Sequence, residues 1–482
     1  MVRVLVLLLP LVVLVSSYKF LLFDLKFLRS HVQFVNGVAD ILVDAGHEVH
    51  ALSNVLDPGV ASIGSSRLPR YVVEQTEMAA KAKMLQKHSG NVWATKSIWD
   101  MLTALDMDSM SKALFAQCER ILTNTTLLDA LREEKFDVGF TAFWDRCSFA
   151  LFHAIGIEKV AIVDLHSSLS EAFVVTGAPA MHSYVPGHFS DVPDCMCFFQ
   201  RATNFVLDFV LTGVVAEHEN NYADFVARLR PDLPSLKEIM ANASLVFINR
   251  NSLVDFPSVT THKVIDIGGI TVGKAEDKAL PEEWETILAP FDRIIIISFG
   301  TIALSVDMPE TLKEAIRQLA KRHPDVGFVW KYERPEDNVS NGISNLLTRA
   351  WLPQKELLRH SKTSLFITHG GISSTWETLY TGLPIVAIPT NSDQYRNARM
   401  LERNGVGVVL SKEDFGDIEK VDEAVMTILN DESFRENSRL VAKLLEDEPF
   451  SARDKFIRNM EFLARHGPLH QLNHEGTKME FT

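Results

Sequence analysis

"SLFITHGGISSTWETLYTGLPIVAIP", residues 364–389, runs from one short apolar segment into a glycine pair, then a helical pattern, then a second apolar segment. Both apolar runs lack the in-out alternation of a half-exposed strand, as expected of strands covered on both faces. Gly370 and Gly371 permit a tight turn with close backbone approach, and Ser373 and Ser374 open a helix expected over 372–381. The stretch therefore predicts a strand, a turn, a helix and a second strand parallel to the first.

The same order recurs along the chain. YKFLLFDL reads as a buried strand, 31–43 as a helix with Val32, Phe34, Val35, Val38, Ile41 and Leu42 on one face, and Gly46 as its stop before a strand opening at His47. FDVGFTAF, a helix through Leu151 and KVAIVDL repeat it, as do RIIIISFG, a helix over 309–323 and VGFVWKY. The fold class is α/β, with parallel sheets packed by helices on both faces. A chain of 482 residues exceeds one core and predicts two domains of about 200 residues each. Residues 251–279 hold Pro257, Gly268, Gly269 and Gly273 without a helical period, so a linker is expected at 256–280. It divides a first doubly wound domain, 18–255, from a second, 281–445, with a helix and tail at 446–482. Ligands of such sheets sit beyond the carboxyl ends of the strands, here in a cleft between facing domains.

Composition narrows the function. A net charge of -14, with no Lys/Arg cluster of useful length, argues against nucleic acid as a partner. Arg3, the apolar run 4–15 and the small residues Ser16 and Ser17 read as a signal peptide over 1–17; a buried first strand is the other reading. No later stretch reaches the roughly 18 apolar residues of a spanning helix. Four cysteines do not make a scaffold in so long a chain, although one bridge is open to them in a secretory compartment. Cys195 and Cys197 stand too close for the usual zinc spacing, and no metal ligands are assigned. Asn124, Asn242 and Asn338 each begin a glycosylation triplet.

The polar groups at the strand ends suggest a nucleotide. The open N–H groups of the helix after His369 form an anion site. Glu377, one turn beyond Ser373, would repel phosphate but accept hydrogen bonds from sugar hydroxyls. Trp351 offers a face for a base, and Gln354 an amide that both donates and accepts. Asp393 and Gln394, just past the strand ending at Pro389, suit the vicinal hydroxyls of a hexose.

The stretch 351–394 closely resembles the signature segment of UDP-glycosyltransferases, and the likeness spans nearly the whole chain. It includes Ser30-His31, Ala45-Gly46-His47-Glu48-Val49, Ser183-Tyr184-Val185-Pro186-Gly187 and Ser298-Phe299-Gly300-Thr301, with wording similar to nematode members of the animal branch. The resemblance implies two Rossmann-like domains in the GT-B arrangement and inverting, metal-independent transfer without a cofactor, the UDP-sugar being the donor substrate. It implies that Trp351 stacks on uracil with Gln354 beside it, and that His369, Gly371, Ser373, Ser374 and Thr301 face the diphosphate. Glu377 would hold the ribose, and Asp393 with Gln394 the transferred sugar.

His31 resembles the general base, which would deprotonate a hydroxyl of a small lipophilic acceptor. Without the family, it would be a surface histidine at a helix start, and His47 reads as structural. The acid that orients the base in many relatives falls at Ala142, so Asp145 is the candidate substitute. No counterpart of the hydrophobic anchor of animal relatives is read in the helix and tail at 446–482, so the expected placement, in the endoplasmic reticulum lumen or as a soluble lumenal or secreted form, rests on 1–17, with membrane association and self- or hetero-oligomers as further expectations. Arg396 or Arg399 would serve a glucuronate carboxylate, which leaves UDP-glucose and UDP-glucuronate both open. A catalytically weak nucleotide-sugar-binding partner subunit and a nucleotide-sugar epimerase are the competing classes. Phe143, Phe149, Phe152, Phe173, Phe198 and Phe199 are compatible with an apolar acceptor pocket or with plain core.

Overall fold

The computed structural model describes residues 17–81, 91–94, 107–167, 173–178, 181–272, 279–473 and 475. The leader read at 1–17 lies outside them except for Ser17. The first sheet contains β1 (Lys19–Lys26), β2 (Glu48–Val55), β3 (Arg70–Val73), β4 (Val138–Thr141), β5 (Val160–Asp164), β6 (Leu245–Ile248) and β7 (Val264–Asp266). The second contains β8 (Arg293–Ser298), β9 (Val326–Lys331), β10 (Leu346–Arg349), β11 (Thr363–Thr368), β12 (Ile385–Ala387) and β13 (Gly407–Val409). The strand orders are 3-2-1-4-5-6-7 and 10-9-8-11-12-13, with every pairing parallel.

Order reverses between β1 and β4 in one sheet and between β8 and β11 in the other. At such a switch point the loops leave in opposite directions and open a crevice. The loops after β4, β8 and β11 carry Asp145, Thr301 and His369, and His31 lies in the first turn of the helix after β1 rather than in the loop itself. The apolar runs follow from burial on both faces: Ile294 to Ile297 are at most 1% exposed. The helix expected at 372–381 spans Ile372–Thr381 and stops at Gly382, whose φ of +66° suits glycine.

Three features depart from the sequence reading. Residues 264–266 are not linker: β7 pairs with β6 and completes the first sheet, a strand too short for a periodic signal. The helix Ala452–His466 follows the second domain in sequence but packs on the first. Phe456 meets Phe247 of β6 with ring centroids 4.8 Å apart, and His47 reaches Glu461 at 3.2 Å, which gives that histidine its structural role. Trp93, from the first half, is 6% exposed and donates to Leu304 O in the second.

The phenylalanines also separate. Phe143, Phe149 and Phe152 are core at 1% exposure or less, whereas Phe198 and Phe199, at 75% and 78%, face outward and belong to neither core nor pocket. A disulfide joins Cys118 to Cys147. Among the described residues no helix is long and apolar enough to cross a membrane.

Candidate functional site

The carboxyl end of β11 delivers His369 into a pocket made of backbone. A Cβ on Gly371 would lie 2.5 Å from its Nε2, and one on Gly300 would lie 2.6 Å away, so only glycine leaves the imidazole its place. Burial, with the charge of Lys331 adding to it, lowers the pKa of His369 to about 4. The ring is therefore neutral at physiological pH, and what it would offer an anion is an N–H rather than a charge. Gly371 is the N-cap of the following helix and has no side chain to satisfy the first-turn N–H groups. The helix thus opens at Gly371 rather than at the two serines, and its dipole faces the cleft beside His369. Ser373 and Thr301 are exposed there.

Gln354 gathers the nucleoside residues. Its Nε2 donates to Ser374 Oγ at 3.1 Å and to Glu377 Oε2 at 2.6 Å. Burial raises the Glu377 pKa and the Gln354 bond opposes that rise. Ser374 accordingly sides with Gln354 and Glu377, while Ser373 stays on the open side. Trp351 is 57% exposed, and the Arg29 guanidinium lies 5.2 Å from its ring centre. Arg29 begins the helix that carries His31, so the two halves of the cleft meet at the ring proposed for the base.

The sugar residues behave unequally. Gln394 Oε1 accepts from Thr390 N, Thr390 Oγ1 and Asn391 N, and its Nε2 donates to Asn391 Oδ1 at 2.5 Å. The amide oxygen and one of the two Nε2–H groups are thus engaged in shaping their own loop. Asp393 accepts from Asn397 on one oxygen at 2.7 Å, and desolvation raises its pKa while His166 opposes the rise.

On the acceptor side, His31 lies in the first turn of the helix Arg29–Asp44. Both ring nitrogens are shielded from solvent and lack a hydrogen-bond partner among the described residues. Burial, then the charge of His166, lowers its pKa to about 3. Asp145 does not orient it. One Asp145 oxygen accepts from Cys147 N at 2.9 Å and the other from Asn54 Nδ2 at 3.2 Å, so the carboxyl is held at the start of the helix Cys147–Ala154. Desolvation raises its pKa to about 6.

The neighbours of His31 are His166, with ring centroids 5.2 Å apart, and Trp144, at 6.0 Å. His166 follows β5, where Asp164 Oδ1 stands 3.3 Å from its Nδ1 and accepts its backbone N–H at 3.1 Å. His188 lies 5.0 Å from His166 by ring centroids and reaches Ser392 Oγ at 3.3 Å across the cleft. The sequence reading passed over both histidines, although His166 shows the same signal as His369, a histidine just past an apolar strand.

Arg396 and Arg399 are committed elsewhere. Arg396 forms a buried pair with Asp255 at 2.6 Å and donates to Ser167 Oγ and Pro186 O. Arg399 pairs with Asp191 and Glu402. Both bind the domains together and neither offers a cation to a sugar carboxylate. Among the described residues, two sets of side chains have metal-ligand spacing: His166, His188 and Asp393, and Glu48, His50 and Glu134.

Residues 19–479 match the family described as "UDP-glucoronosyl and UDP-glucosyl transferase". The chain is similar to the Caenorhabditis elegans protein ugt-48, at 28% identity over 97% of this chain and 90% of that protein. It is 27% identical to human UDP-glucuronosyltransferase 1A5, over 87% of this chain and 78% of that one. Among solved structures, the glycotransferase of kitacinnamycin superposes with a TM-score of 0.64 at 15% identity, covering 93% of this chain and 99% of its own. A UDP-glucosyltransferase from Polygonum tinctorium gives 0.60 at 13%, covering 94% and 99%. These likenesses establish the GT-B arrangement of the two sheets.

Proposed function

The chain belongs to the UDP-glucoronosyl and UDP-glucosyl transferase family, and from that premise we propose that it transfers a neutral hexose from a UDP-sugar to a hydroxyl of a small lipophilic acceptor, with inversion and without a catalytic metal. The observation that carries this reading is the meeting of two half-sites: Arg29, two residues before His31, lies over Trp351, the residue that would stack on uracil.

The donor would lie across Trp351 and Gln354 with its ribose at Glu377 and its diphosphate at the helix start beside His369. Neutral N–H groups and the helix dipole stabilise charge there as it develops on the leaving phosphate. His31 takes the proton of the acceptor hydroxyl, the oxygen attacks the anomeric carbon from the face opposite UDP, and the carbon–oxygen bond to the β-phosphate breaks with its electrons going to UDP. A buried imidazole without a partner is a poor proton acceptor. His166 beside His31 lowers its pKa, and the Asp164 carboxylate 3.3 Å from the His166 ring offsets that charge, so the assistance expected of Asp145 is assigned to Asp164 acting through His166.

A neutral sugar is favoured because the two nearby arginines are already paired. The Cys118–Cys147 disulfide and the leader read at 1–17 support a secretory lumen. Purified chain with a phenolic acceptor is expected to use UDP-glucose at least ten-fold better than UDP-glucuronate, judged by kcat/KM, and to give a β-glycoside by NMR. The reverse preference would refute the donor assignment, and an α-glycoside the inversion.

A further inference from the structure

We propose that His166, His188 and Asp393 form a site for a borderline-soft divalent cation, zinc in the first place, that clamps the cleft shut and excludes the donor sugar. The three donor atoms lie within 4.8 Å of one another. Two come from loops of the first domain and the third from the loop after β12, so a bound ion would tie the domains together. His166 and His188 are 6% and 3% exposed.

The surroundings are those of a metal ligand set. Asp164 stands behind His166, 3.3 Å from Nδ1 and accepting its backbone N–H at 3.1 Å, close enough that a small turn of the ring would give the carboxylate–histidine bond usual behind a metal ligand. Asn397 holds one oxygen of Asp393 at 2.7 Å, as a ligating carboxylate is commonly held. The charges also balance: Asp164 and Asp393 supply two negative charges, and the nearby Arg396 is offset by Asp255 at 2.6 Å. Two imidazoles and one carboxylate suit zinc or cobalt(II), whereas magnesium and calcium prefer oxygen alone. Tetrahedral ligands about 2.0–2.2 Å from zinc stand roughly 3.3–3.6 Å apart, so side-chain adjustment on the order of an ångström closes the site.

The other set, Glu48, His50 and Glu134, carries no such inference, because Lys19 already sits between its carboxylates, 3.0 Å from Glu48 and paired with Glu134. Exclusion of the donor rests on the reading of Asp393 as the sugar residue; metal binding does not. An ion held by Asp393 would occupy the place read for the donor sugar, so it acts as an inhibitor.

The test uses the untagged full chain, freed of metal with chelator and titrated with cobalt(II). One equivalent is expected to give the visible absorption of a low-coordinate cobalt site. Zinc should abolish the bands, and His188→Ala and His188→Gln should each weaken binding at least ten-fold, with His50→Ala unchanged. UDP-glucose should weaken cobalt binding, and cobalt should weaken UDP-glucose binding by the same factor. Absence of a saturable one-equivalent signal, or its persistence in both His188 variants, would overturn the site. Calorimetry with UDP-glucose in chelator keeps the two readings apart, since donor binding without cobalt binding removes only the clamp. Cobalt binding without donor binding removes the donor reading and leaves the metal site standing.

Discussion

Asp145 and Ala142 illustrate how much a side chain's role depends on partners remote in sequence. Asp145 stands three residues past the expected acid, yet Asn54 and Cys147 N take its oxygens. Asp145→Asn is therefore expected to leave kcat within about two-fold, while Asp164→Asn lowers it about ten- to hundred-fold, at the low end of or below the roughly 10²–10⁴-fold of direct acid–base catalysis, as suits a group acting through His166. A kcat that falls only in the Asp145 variant would reverse that assignment. Stability carries a separate signature. Because the folded pKa of Asp145 is raised to about 6, its ionisation destabilises the folded chain above that pH, and the penalty is relieved as pH falls toward the ordinary value. His218 and His369, both lowered to about 4, act oppositely. Each stabilises fully above about pH 6.5, and its contribution is lost as pH falls through 4, at about 1.4 kcal/mol per unit while only the unfolded form is protonated. A pH series of urea melts should show His218→Gln flattening the fall between pH 6.5 and 4.5. A slope unchanged by that variant would count against the burial assigned to His218.

At the level of the secondary-structure element, the helix Ile372–Thr381 with the turn before it was readable because each signal was local: an apolar strand, two glycines and a helical period in one window. Its first turn was less so. The two serines looked like caps, but Gly371 takes that place, since any side chain there would strike His369. Gly371→Ala has an ordinary φ of -60°, so its cost is displacement of the imidazole. Titration calorimetry should show UDP affinity falling about ten-fold, about 1.4 kcal/mol, with the melting temperature close to that of the parent. Unaltered affinity would place the diphosphate elsewhere. β7 and the pairing of His166 with Asp164 were not readable. A three-residue strand has no period, and the histidines converge only after the loops of both sheets are folded.

For the molecule as a whole, the alternation of apolar runs and helices was enough to indicate two parallel sheets and the cleft between them. What it did not show is how the halves are bolted together, because those contacts join residues far apart in the chain. Arg396 with Asp255 is a buried ion pair across the domains. Arg396→Met leaves Asp255 buried and uncompensated and is expected to cost about 3–5 kcal/mol. Adding Asp255→Asn should restore part of that in a denaturation cycle, and an additive double variant would show that the two do not interact. The helix Ala452–His466 closes the assembly by returning to β6, so residues after the second sheet contribute to the first.

Whether His31 deprotonates an acceptor lying opposite the bound UDP-sugar is settled by one comparison. Transfer from UDP-glucose to a phenol is measured for the parent and for His31→Ala, with UDP affinity determined on the same samples. Loss of a proton acceptor should lower kcat at least about a hundred-fold while UDP affinity stays within about two-fold. A His31→Ala protein that keeps its turnover, or a parent that binds UDP and makes no glycoside, would contradict the mechanism.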